Sequence, residues 1–437
     1  MGANRLRTRT CDTYEPMLRA VVLVAALAIP VSAHADDPSA GPAAKSGTDP
    51  AAPSPSDGDP RATVQHEGAP VEPPSHVLEP EKRMPETRNA TEPAFVWKPF
   101  GFVRLQYIAV QDDPNVPFVG RDDGFELQNA RIGFVGRLAN KAAVTVDFDG
   151  AVDERAQINS PDGKLKVALK DAYGDVVLSG AAVARAGYFQ AWVDPEALVP
   201  DTSRELIDHP LESRGMRATE GYQTPGLPPG RSLGAAIHLD PAYLLGEPTK
   251  IDGPAAFGVE VAIQNGADEF ASNNDNNLPA VSLAAIVRMP HDSWIMAAGR
   301  WNARSVGDLP FRRDETDYQG TVGLHLTAGP VSLGGGLVVE HTTFDSTGGP
   351  AQDAYGGHAQ VMFAVPAALP FALGYRFAIL DPSNLIVTDR VMEHTVGAVL
   401  GVPSYRMRFQ LLLVHVMEQA ARDLANDRIQ VAAEVSL

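Results

Sequence analysis

The stretch Gly124–Gly150, GFELQNARIGFVGRLANKAAVTVDFDG, decides the fold. Taken at every second residue, Ile132, Phe134 and Leu138 form one face, and Asn129, Arg131 and Arg137 form the other. After a turn at Asn140-Lys141 the alternation resumes, with Val144, Val146 and Phe148 set against Thr145, Asp147 and Asp149. A period of two residues is the mark of a strand. A soluble sheet would bury the apolar face and give the charged face to bulk water, so the question is which solvent each face meets.

The same texture continues to the end of the chain. Segments of roughly ten residues, separated by turn chemistry, run through Lys98–Gln111, Gly124–Leu138, Ala142–Gly150, Leu165–Val177, Val183–Trp192, Ser232–Leu239, Ala255–Gln264, Ala280–Met289, Ser293–Asn302, Asp317–Thr327, Val331–Thr343, Tyr355–Val365, Phe371–Leu380, Val391–Leu400, Tyr405–Val416 and Arg428–Leu437. Short connections ("LANK", "SGAA", "PHD", "AGP") alternate with long polar ones ("QDDPNVPFVGRDD", "NGADEFASNNDNN"). Short turns on one side and long loops on the other are the pattern of an outer-membrane barrel, and a sheet in lipid must close because the bilayer offers its backbone no water. The expectation is an all-β, antiparallel transmembrane β-barrel of about 16 strands over residues 94–437. A propeller would show blade-length repeats, and the sequence has none.

Charge fixes the phase. A charged side chain on the lipid face costs about 2–4 kcal/mol at midplane. Val103, Leu105, Tyr107, Phe257, Val261, Leu373, Leu411 and Leu413 therefore face lipid. The opposite phase carries Arg104, Arg131, Arg137, Arg185, Arg288, Arg300, Arg376, Arg406, Arg408 and Arg428, with Asp147, Asp149, Glu260, Glu340, Glu393 and Glu434 between them. A barrel of this size leaves an aqueous channel, so these arginines are the candidate pore-lining, anion-selecting residues of a wet lumen.

The chain's start reads differently. Arg5, Arg7, Arg9 and Arg19 precede an apolar run, Ala20–Val31, and then "SAHA" at Ser32–Ala35. That is a cleavable signal peptide over 1–35, and Met17 offers an alternative start to Met1. Residues 36–93 are rich in Pro and Ala and nearly free of aromatics, which fits a disordered periplasmic linker. The only cysteine, Cys11, lies in or before the signal, so disulfides and cysteine metal sites are not expected. From Phe95 onward there are 27 Lys+Arg against 41 Asp+Glu.

Several pieces resemble the phosphate-selective porin family of the O and P type: the opening stretch, "LKDAYGDV" (Leu169–Val176), "AGYFQAWVDPEAL" followed by "TSRE", and "QNG" (Gln264–Gly266). The resemblance implies a sixteen-stranded, usually trimeric outer-membrane porin whose third long loop folds inward and whose basic lumen draws in anions. Val193–Arg231 is the longest connection and the candidate for that loop, with Arg204, Arg214 and Arg217 as constriction cations; an outward surface loop is the alternative. Thr202 or Ser203 is the expected cap of a short helix there. The sequence departs from the family where Gln190-Ala191-Trp192 replaces a lysine and proline, and lysine is scarce throughout.

The histidines lack metal-ligand spacing, no G-x-S-x-G is present, and "NGADEFASNNDNN" lacks the spacing of a calcium loop. No enzyme activity, cofactor, metal or nucleic-acid partner is expected. The expected partners are outer-membrane lipid and lipopolysaccharide, small anionic or neutral solutes, and further copies in a homotrimer. The rival readings are a general or cation-preferring porin, favoured by the acidic balance, and a barrel enzyme or adhesin with a plugged lumen.

Overall fold

A computed structural model describes residues 95–437 apart from 118, 121–122, 153–165, 218–219, 222, 241–242, 245–246, 249–254, 267–277, 307–311, 345–349 and 420–423. The signal peptide and the linker lie outside the described residues.

The barrel begins with β1 (Phe95–Val110), β2 (Gly124–Leu138), β3 (Ala142–Val152), β4 (Lys166–Ser179), β5 (Ala182–Phe189) and β6 (Ser232–Leu239). A small hairpin of β7 (Tyr243–Leu244) and β8 (Glu247–Pro248) stands apart from the wall. The wall continues with β9 (Ala256–Gln264), β10 (Ala280–Met289), β11 (Ser293–Val306), β12 (Arg313–Ala328), β13 (Val331–Phe344) and β14 (Gln352–Val365). It ends with β15 (Phe371–Asp381), β16 (Val391–Val402), β17 (Met407–Glu418) and β18 (Arg428–Ser436). Sixteen strands form one closed antiparallel barrel, and β1 pairs with β18 from Phe102↔Ser436 to Val110↔Arg428. Closure gives every strand of this wall two neighbours.

The alternation in sequence becomes outside and inside. On β1, Val103 is 51% exposed and Arg104 only 2%. Ile132, Phe134, Val144 and Phe148 of the opening stretch are exposed, whereas Asp147 and Asp149 are buried. The apolar belt carries aromatics toward the long-loop rim, where Tyr107 meets Phe125 edge to face with ring centroids 5.2 Å apart. On the other rim the reversals are tight. Ala139, His291, Asp292 and Arg406 adopt left-handed backbone conformations in these turns, as do Gly180 and Gly329.

Two expectations need correction here. Strands run further toward the long loops than the alternation shows, with β11 reaching Val306 and β12 starting at Arg313. Inter-strand hydrogen bonding persists there after the clean alternation has ended, as in Ala303-Arg304-Ser305-Val306. In addition, Tyr405 and Arg406 do not begin a strand. They close the turn Pro403–Arg406, so Arg406 is exposed at the rim rather than on an inward-facing strand position.

Candidate functional site: the lumen and its inward loop

The segment Val193–Arg231 links β5 to β6 and turns into the barrel. It contains two 3-10 turns, Pro195–Leu198 and Asp201–Ser203, and a one-turn helix, α1 (Leu211–Arg214). Asp194 caps the first turn by accepting a 2.9 Å bond from the Glu196 amide. The expected cap at Thr202 or Ser203 is not found. Those residues form the second turn themselves, and Pro210 precedes α1 without a side-chain cap.

Apolar residues drive the inward fold. Leu206, Leu211 and Met216 are 4% exposed or less and pack on Met362, Ala378, Leu380, Leu412, Val414 and Val416 from the inner faces of β14–β17. Each such side chain removed from water stabilises by about 1.5–3 kcal/mol. The lumen is therefore not wet throughout: the loop covers an apolar inner wall on this side. Leu411–Val414 is apolar on both faces because both are covered, one by the loop.

Three wall glycines seat the loop. A Cβ at Gly323 would lie 2.4 Å from Pro195, at Gly356 2.5 Å from Glu212, and at Gly397 2.7 Å from Leu206. The chain approaches the wall where the wall has no side chain.

An ion-pair chain then crosses the lumen. Asp171 of β4 takes Arg231 at 3.0 Å and Arg131 of β2 at 3.1 Å. Arg131 also pairs with Asp147 and with loop residue Asp201, and Asp201 pairs with Arg204. Arg204 reaches Glu196 at 3.3 Å, Glu196 lies 3.8 Å from His358 of β14, and His358 bonds Glu212 of α1. A second knot is drier. Arg214 bonds Glu220 at 2.7 Å and Glu393 of β16 at 2.5 Å, and Arg428 holds Glu393 at 2.8 Å.

Burial and charge shift the loop's acids and bases. Burial, reinforced by neighbouring Glu196, raises Asp194 to about 7. Burial and the Arg204 guanidinium lower His209 to about 4, which keeps it neutral and able to accept a 2.6 Å bond from Arg204. At Asp208 burial pushes upward, but Arg214, Arg217, Arg428 and Arg376 together outweigh it and lower the carboxyl to about 2.

Nine of the ten strand arginines take inward-facing positions. Arg104 and Arg408 share Glu434, Arg185 bonds Asp175 at 2.8 Å, and Arg288 bonds Asp240 at 2.7 Å. Arg376 donates to the Asp208 carbonyl at 2.7 Å. Arg300 pairs in register with buried Ser282 and Gln319, and Arg137 with buried Ala143. Loop residues Arg204 and Arg214 are buried in ion pairs, while Arg217 stands 3.6 Å from Glu126 at the side of the passage. Arg231, the end of the loop, and the pair Lys170-Asp171 in "LKDAYGDV" were not singled out from the sequence. The sequence signal for Lys170 and Asp171 is two adjacent charges in a strand that should alternate, and Arg231 carries no such signal.

Two cavities flank the loop. The larger, about 740 Å³, runs between the loop and β1–β5, and nine Lys and Arg side chains line it against six carboxylates. The smaller, about 560 Å³, lies against β10–β14 and is lined by Trp294, His325 and His358 among others. Leu198, Val199, Pro200, Arg204 and Arg288 line both.

This architecture is that of an outer-membrane β-barrel whose bore is narrowed by its own inward loop. No protein-family profile matches the chain, and no curated protein sequence matches it. Solved structures do. The outer membrane channel DcaP of Acinetobacter baumannii superposes with a TM-score of 0.53 at 12% identity, covering 78% of this chain and 97% of that one. OmpT of Vibrio cholerae, in its trimer form, gives 0.51 at 11% identity over 79% of this chain and 100% of that one. Salmonella typhi OmpF, solved with daunomycin, gives 0.51 at 13% identity over 78% and 97%. At these identities the likeness is one of fold.

Proposed function

We propose that this chain is an outer-membrane porin, a water-filled channel for passive diffusion of small hydrophilic solutes with a preference for anions. One observation carries the preference. The chain as a whole is −18, yet the larger cavity is lined by nine cationic side chains against six carboxylates. A low-dielectric wall focuses that local excess onto a passing ion. No bond is made or broken. Selection is by the width the loop leaves and by the sign of the field inside it. The solved channels that share the fold favour a pore over a plugged barrel.

Phosphate specificity is the narrower reading suggested by the resemblance to the O and P type porins. The lumen arginines are already held by aspartate and glutamate, which compete with phosphate for the same donors. We therefore read a general anion preference with phosphate among the solutes. The rival, a cation-preferring pore, draws on the acidic balance of the chain. We further read the assembly as a homotrimer, the form stated for the Vibrio cholerae OmpT structure.

Planar-bilayer recording tests the reading. A reversal potential in a potassium chloride gradient should have the sign of chloride permeation, and added phosphate should reduce the chloride current. The opposite sign selects the rival, and no conductance overturns the porin reading.

A further inference from the structure

We propose that Lys170 sets the anion preference of the larger cavity, by binding the oxyanion or carboxylate group of a passing solute. The proposal rests on the porin reading and names a residue that the arginine ladder does not include.

The backbone puts Lys170 in place. On β3 and β4, Asp147 pairs with Asp171 and the next residue, Phe148, pairs with Leu169, so Lys170 has no partner across the ladder. This is a β-bulge, which inserts one residue and re-aims side chains. Leu169 faces outward and is 38% exposed. Strict alternation would then send Asp171 outward too. Instead Lys170 and Asp171 both line the cavity, and Asp171 reaches Arg131 and Arg231 there.

Charge bookkeeping then separates Lys170 from the other eight cations of this cavity, of which Lys98 is not free. The seven arginines lining this cavity each carry an ion pair, from Arg104 with Glu434 to Arg288 with Asp240. A paired guanidinium presents a near-cancelled field to a solute and has few donors to spare. Lys170 makes no ion pair among the described residues, and Asp171 beside it is already held by two arginines. An ammonium on a flexible stem also exchanges partners readily, which suits a group that must bind and release.

The full-length chain, reconstituted in planar bilayers across a potassium chloride gradient, gives the test. Lys170→Gln and Lys170→Glu are compared with wild type, and heat-modifiable gel mobility confirms the folded barrel. The chloride-to-potassium permeability ratio should fall about fivefold in Lys170→Gln, the factor set by ~1 kcal/mol between contacting unit charges in water. It should fall further in Lys170→Glu, and inorganic phosphate should block the chloride current less in both. If Lys170→Glu does not fold, the uncharged Lys170→Gln of similar length carries the result. An anion-selective wild type with an unchanged ratio in the variants overturns the role of Lys170 and leaves the porin reading intact. A wild type without anion preference overturns the role of Lys170 together with the anion preference, and a wild type without conductance overturns the porin reading as well.

Discussion

Gly356 of β14 lies directly beneath Glu212 of the loop helix, so close that a Cβ at position 356 would sit 2.5 Å from that of Glu212. Gly356→Val should therefore lift α1 from the wall while leaving the hydrogen-bonded ladder of β14 in place. The expected result is a folded barrel with larger and noisier single-channel conductance. Unchanged conductance in a folded Gly356→Val barrel would refute the glycine seat.

The two faces of β17 separate an inner wall covered by the loop from an outward apolar belt. Leu412 is 3% exposed against Leu206, whereas its neighbour Leu411 faces outward at 43%. Leu412→Ala should cost about 2–5 kcal/mol as a core truncation and loosen the loop. Leu411→Ala should leave conductance unchanged. Denaturant unfolding of the refolded barrel, with recordings on the same variants, checks both.

Arg214 is enclosed by Glu220, Glu393 and Asp208. Removing one partner of a buried ion cluster leaves unpaired charge behind, so Arg214→Ala should cost about 3–5 kcal/mol. The double variant with Glu393→Gln should recover part of that loss. Additive losses in the double-mutant cycle would show that the two are not coupled.

Asp194 makes the channel sensitive to pH near neutrality. Its folded-state value is raised from 3.8 to about 7 by burial and by Glu196. The stability favoured by its protonated form is complete below the unfolded value and is lost as pH rises through about 7. Between pH 6 and 8 the carboxyl ionises within the wall of the larger cavity. Anion preference should fall over that window in wild type and stay flat in Asp194→Asn. Identical profiles for the two would remove Asp194 from the account.

Much of the barrel was legible because the alternation of apolar and charged residues has only one solution in lipid. Val103 and Arg104, neighbours in sequence, end on opposite sides of the wall as their chemistry requires. The inward loop was legible as a long connection but not in its mode of attachment. Its anchors are glycines and ordinary leucines, such as Gly397 and Leu206, whose role depends on what comes near them. Arg406 was misplaced because alternation cannot show where a strand gives way to a turn. Lys170 escaped notice for a related reason: a bulge breaks the period on which the reading depends.

Arg104 joins three separate parts of the chain. It is on the first strand, its guanidinium pairs with Glu434 on the last, and it also bonds the Asp201 carbonyl of the loop at 3.0 Å. The inward loop is thus fastened to the seam where the cylinder shuts. The side chain that holds the loop is itself held across that joint, so parting the first strand from the last would take Glu434 from Arg104 and slacken the narrowing with it.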